Sequence, residues 1–209
     1  MERSGEVAEL MVKGLAAAHK RIAGAGVLAA LLLVLTAFVA PSARAEAPAI
    51  DPKAAAFEVD FLTDMIDHHH MAVMMAEACV DKAVHAELAA TCESIVQTQS
   101  QEIMQMQAWL ADWYGVSHEP EMTTGDMRSM ARLDRLTGED YEIAFMRSMI
   151  RHHWSAIREA EECLSKAEHP ELLALCESIR KTQLEEIATM QMWLEEGYDR
   201  SGGRPAGTA

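Results

Sequence analysis

The sequence predicts an all-α protein: four helices arranged as two helical hairpins with a long connection between them. Three observations carry that expectation. Aromatic residues make up only 5% of the chain while Met alone occurs 15 times, and strands favour aromatic and β-branched residues where helices favour Ala, Leu, Met, Glu and Gln. The chain also contains an internal duplication. Shifted by 84 positions, Phe61–Leu110 lies over Phe145–Leu194 without a gap, with 27 of 50 positions identical. Within each copy, apolar residues recur at helical spacing.

The elements follow in order. Residues Ile22 to Ala40 carry no charge, follow Lys20-Arg21 and precede Ala43-Arg44-Ala45. A basic flank, an apolar run and a small-x-small site describe a secretory leader cleaved after Ala45. The run is also nearly long enough for an uncleaved membrane anchor. Either way the remainder is expected to be exported. The leader is long before its apolar run, so translation from Met11 is an alternative start. Residues 46–56 read as a linker, 57–196 as the duplicated domain with repeats 57–114 and 141–197, and 198–209 as a disordered tail.

In the first repeat, Asp51-Pro52 supplies a cap and a proline at the first helical position. Phe57, Phe61, Met65, Ala72, Ala76 and Cys79 form one stripe, and Lys82 to His85 a short turn. Leu88, Cys92, Ile95, Ile103, Met106 and Leu110 form the next stripe, and Gly115 ends it. In the second repeat, Thr137-x-x-Asp140 reads as a capping box, Pro170 opens the last helix and Gly197 closes it. The segment from Val116 to Leu136 is long, with a short helix around Met127 and Met130. One unit of about fifty residues cannot bury its apolar face alone, so the two are expected to pack together. Four helices with one long central crossover match a ferritin-like bundle better than a simple up-down-up-down arrangement.

Charge and motifs exclude several functions. The chain carries a formal net charge of −15, and phosphates would repel it, so nucleic acid is not an expected partner. Without the first 45 residues, 13 basic and 30 acidic side chains remain. There is no glycine-rich phosphate loop and no G-x-S-x-G turn.

The predicted stripes contain residues that cores avoid. His69 lies beside Met65, with His68 at the edge of that stripe, and Gln99 and Glu102 share a side with Ile103 and Met106. Burying such groups is costly unless they are paired or bind a metal. A hairpin turning near residues 85–86 sets residues level when their numbers sum to about 171. That places Cys79 by Cys92, His69 by Glu102 and Met65 by Met106. The repeat places Cys163 by Cys176, His153 by Glu186 and Met149 by Met190. Four Cys allow three pairings. Export favours one disulfide stapling each hairpin, the alternative being free thiols or thiolate ligands. Met65, His68, His69, Glu102 and Met106, with Met149, His152, His153, Glu186 and Met190, are the candidate metal ligands. Thioether with imidazole is a soft donor set suited to copper, above all Cu(I). Each Glu would either ligate or orient a ring nitrogen. The plainer reading is a polar core of His–Glu hydrogen bonds with Met as filler. His70, Met71 and Met74 become Trp154, Ser155 and Arg158 in the second repeat. They read as surface scatter, as do Met122, Met127 and Met130, while His85, His118 and His169 read as local hydrogen-bonders.

Phe61-x-x-x-Met65-Ile66-x-His68-His69-x-x-Ala72, His85-x-Glu87-Leu88 and Gln99-x-x-Glu102-Ile103-x-x-Met106-x-x-Trp109-Leu110 resemble the bacterial domain-of-unknown-function family 305, and Phe145 to Leu194 repeats the pattern. The resemblance covers most of residues 57–196. It implies a ferritin-like fold, export or membrane tethering, and kinship with periplasmic copper-binding proteins. It points to Met65, His68, His69 and Met106, with Met149, His152, His153 and Met190, as ligands. Where many relatives carry Pro before the His pair, this chain has Asp67 and Arg151.

The function expected is therefore a copper-binding protein of the cell envelope, not an enzyme. It would sequester Cu(I) or Cu(II), or pass it to a copper-handling envelope protein, touching the membrane only through an uncleaved leader. The alternatives are a structural or interaction bundle without metal and a di-metal oxidase. The last would need several carboxylates in Glu-x-x-His motifs, and neither Glu102 nor Glu186 has a His three residues on.

Overall fold

The structure, a computed structural model, describes residues 47–196. The leader, both candidate start sites, Gly197 and the tail lie outside the described residues. Five helices follow in order: α1 Pro52–Lys82, α2 Ala86–Tyr114, α3 Thr124–Asp134, α4 Gly138–Lys166 and α5 Pro170–Glu195. Helices α1 and α2 form one hairpin, and α4 and α5 the other.

Local sequence explains most boundaries. Asp51 caps α1 by accepting the Lys53 N–H at 2.8 Å, with Pro52 in the first turn. The helix thus starts inside the segment read as a linker. Gly115 ends α2 at φ 65°, where a side chain would be strained. The short central helix exists, and its cap is a reciprocal one between Thr123 and Asp126. The box expected at Thr137 does not form: Thr137 takes the cap position of α4, but its side chain makes no capping hydrogen bond.

Each hairpin is closed by a disulfide near its turn, Cys79–Cys92 and Cys163–Cys176. The hairpins dock chiefly through α1 and α4. The packing is antiparallel. One apolar cluster joins the open end of the first hairpin (Phe61, Leu62, Met65, Met106, Leu110) to the turn end of the second (Ala160, Cys163, Leu172, Cys176). The other joins Ala76, Cys79, Leu88 and Cys92 to Tyr141, Phe145, Met149 and Met190.

Two buried carboxylates fasten this docking. Glu58 Oε1 accepts the backbone N–H groups of Glu168 (2.6 Å) and His169 (3.0 Å) in the opposite turn. Its Oε2 accepts from the Tyr114 hydroxyl (2.6 Å) and faces His169 Nδ1 (2.5 Å). Its repeat counterpart Glu142 accepts the N–H groups of Val84 (2.8 Å) and His85 (2.9 Å) and faces His85 Nδ1 (2.9 Å). Both side chains are fully buried. His85 and His169 are therefore not local hydrogen-bonders but half of a clamp between hairpins. His118 is likewise long-range. Its Nε2 lies 2.7 Å from Asp67, which also accepts the Glu121 N–H, so the non-proline residue before the first His pair ties the crossover to α1.

Candidate metal centre

The polar layer lies between the two apolar clusters, where α1 and α4 face one another. His68 and His152, related by the duplication, meet there with ring centroids 3.7 Å apart and planes 37° apart. Behind them stand His69 and His153, both fully buried. His69 Nε2 is 2.8 Å from Glu102 Oε2 on α2 and hydrogen-bonded to it. His153 Nε2 is 2.7 Å from Glu186 Oε2 on α5, but the approach misses hydrogen-bond geometry and leaves both atoms unpartnered. Gln99 and Gln183, one helical turn away, are buried with their carbonyl oxygens unpartnered.

The hairpin register therefore places each carboxylate at its imidazole. Met65 and Met106, fully buried, lie in one apolar cluster, and Met149 and Met190 in the other. Met65 precedes His69 by four residues, about 6 Å along the helix axis. The ten sequence candidates thus do not form a single ring. The imidazoles and carboxylates gather at the seam, and thioethers flank them on either side. Among the described residues, no three His, Cys, Asp or Glu side chains converge closely enough to hold an ion by themselves.

The electrostatics favour neutral rings. Burial, then the neighbouring His69 and His153, pushes His68 down to about 3. Burial, then His68 and His153, holds His152 well below its usual value. Neutral imidazole is the form that ligates metal. If His69 donates its Nε2 proton to Glu102, Nδ1 presents a lone pair. The Nδ1 atoms of His68, His69, His152 and His153 are all buried without a partner. Such atoms cost about 1–3 kcal/mol each and are rare in native interiors. A soft cation taking imidazole nitrogen and thioether sulfur fits this donor chemistry, with Glu102 and Glu186 orienting rings from behind.

The remaining candidates disperse. Met71 and Met130 pack against the second apolar cluster, so neither is mere surface scatter. His70 and Met74 are half-buried on α1, and Met127 is 53% exposed. Sequence reasoning missed Glu58 and Glu142. The signal was a carboxylate within the apolar stripe, repeated 84 residues on.

The comparisons with known proteins agree with this architecture. No curated protein matches the chain. Solved structures do. CopM in its Cu(I)-bound form is 28% identical, covers 68% of this chain and 98% of its own, and superposes with a TM-score of 0.61. CopM in an Ag-bound form is 29% identical over the same shares, also with a TM-score of 0.61. A DUF305 fragment from Deinococcus radiodurans is 29% identical, covers 69% of this chain and 99% of its own, and has a TM-score of 0.61. The family model described as Domain of unknown function (DUF305) matches residues 44–110 and 58–194. With both repeats inside those matches, the chain belongs to the DUF305 family.

Proposed function

We propose that this chain is an exported copper-binding protein of the cell envelope that sequesters copper or hands it to a copper-handling partner, without catalysing a reaction. The observation that carries the reading is the contact of two neutral, half-buried imidazoles, His68 and His152, backed by the buried His69 and His153 with open Nδ1 atoms. Met65, Met106, Met149 and Met190 supply thioethers on either side. Glu102 and Glu186 stand 2.8 and 2.7 Å from the inner rings. The likeness to CopM, solved in Cu(I)-, Cu(II)- and Ag-bound forms, supports the choice of ion. Two disulfides support export, because such bonds persist in oxidising compartments. No helix among the described residues is long and apolar enough to cross a membrane.

The test is elemental analysis of protein purified without chelator from copper-supplemented cells, followed by Ag(I) titration, which spares the disulfides a reductant. Stoichiometric metal is expected, and most of it should be lost in the His69→Ala/His153→Ala variant. Unchanged uptake by that variant would reject the inner site. The hydrogen bond from His69 to Glu102 favours one second reading, a purely structural polar core. Metal-free protein whose melting ignores added Cu(I), Cu(II) and Ag(I) would establish it.

A further inference from the structure

Helices α2 and α5 each pack on their own hairpin partner and not closely on one another. A groove of about 370 Å³ lies between them, walled by Thr91 and Ser94 from α2 and by Thr182, Glu185, Glu186 and Thr189 from α5. Of these, Glu186 also belongs to the buried layer: its Oε2 is enclosed and lies 2.7 Å from His153 Nε2. His153 is 0% exposed, its Nδ1 has no partner, and Gln183, 2% exposed, keeps its carbonyl oxygen unpartnered one turn away.

We propose that this groove is the portal by which a soft monovalent cation enters and leaves the histidine layer, Glu185 drawing it to the mouth and Glu186 passing it to His153. The proposal rests on the copper-binding reading. A cation that sheds water must be offered replacement oxygens along its path, and hydroxyl and carboxylate groups supply them here. Along the bundle axis the layer is closed on both sides by apolar clusters. The chain's net charge of −15 raises the local cation concentration, most strongly where carboxylates line a cleft.

The duplication supplies a built-in control. The corresponding groove beside Glu102 would carry Leu175 in place of Thr91, Gln101 in place of Glu185 and Gln105 in place of Thr189. Leu175 packs onto the first apolar cluster. Glu102 is hydrogen-bonded to His69 at 2.8 Å, and Glu186 lies 2.7 Å from His153 outside hydrogen-bond geometry. The portal is therefore one-sided.

The experiment follows Ag(I) uptake by the full exported chain, and its release to a coloured chelator, in stopped flow. Thr182→Trp, which fills the groove, should slow uptake and release together by about tenfold or more while leaving stoichiometry and Kd unchanged. Glu185→Lys, at an exposed position, should slow uptake by roughly three- to tenfold at low salt and lose that effect at high salt. Gln101→Lys, the matched change on the other side, should leave the rates alone. If Thr182→Trp fails to fold by circular dichroism, Glu185→Lys against Gln101→Lys decides the question. Wild-type kinetics in Glu185→Lys, or equal slowing in Gln101→Lys, would overturn the portal. Failure of the wild-type chain to take up Ag(I) at all would instead overturn the copper reading beneath it.

Discussion

The two hairpins share a framework and differ in the residues that surround it. In both, a disulfide closes the turn, an imidazole stands by a carboxylate across the hairpin, and a buried glutamate grips the turn of the other hairpin. Glu142 holds two backbone N–H groups and the His85 ring. Glu58 holds the same set at His169 together with the Tyr114 hydroxyl, whose repeat counterpart, Tyr198, lies outside the described residues. The His169 ring also stacks on Trp113, 3.8 Å between centroids and 3° from parallel, and its Nε2 donates to the Ala47 carbonyl. The position matching Trp113 in the second repeat is Gly197. The aromatic stacked on the turn histidine is thus present by sequence at the α4–α5 turn, as Trp113, and replaced by glycine in the other repeat. The His153–Glu186 pair, 2.7 Å apart, belongs to that same second hairpin, in mid-bundle beside the open groove.

The largest expected effect tests what the halves share. Each disulfide spans a separation of 13 residues, so Cys79→Ala/Cys92→Ala and Cys163→Ala/Cys176→Ala should each cost about 3 kcal/mol in denaturant unfolding. A marked inequality would show that the hairpins are not equivalent at their turns. The next effect tests the grip on the opposite turn. Glu58→Gln removes a charge-assisted acceptor from four donors and should cost about 2–4 kcal/mol. A loss below about 0.5 kcal/mol would refute the grip.

The pH dependence tests the same Glu58 grip. Burial raises the Glu58 pKa, but hydrogen bonds from Tyr114, the Glu168 and His169 N–H groups and the His169 ring outweigh it and hold the carboxyl below its usual 4.5. A carboxyl depressed on folding stabilises fully above its unfolded value and ceases to as pH falls through the folded one. The melting temperature of metal-free protein should therefore drop below pH 4.5, and Glu58→Gln should remove part of that drop. An unaltered profile in the variant would refute this role. The smallest effects are expected where the repeats diverge at the surface. His70→Ala, Met74→Ala and Arg158→Ala should each change stability by no more than about 0.5 kcal/mol. A larger loss at His70 alone would mark that face as part of the fold.

Much of this was legible in the chain. The 84-residue shift gave the two hairpins, and one turn register placed Cys79 by Cys92 and His69 by Glu102, because contacts within a hairpin follow from helical rise and a short turn. The capping box at Thr137 was misread: a capping pattern permits the bond, and the local backbone decides whether it forms. Glu58 and Glu142 went unread because their partners in the opposite turn lie 110 and 57 residues away or more, across a seam the repeat does not describe.

The sequence alone thus determined the helices, the staples and the pairing of each imidazole with its own carboxylate, all of which depend on short-range periodicity. Only the tertiary structure decided that the hairpins dock antiparallel through α1 and α4. That docking brought His68 against His152, parted the thioethers to either side and left α2 and α5 with a groove between them. The physical reason is that these contacts depend on how two finished surfaces fit together, and side-chain shape and buried hydrogen bonds set that fit across distances no local pattern encodes.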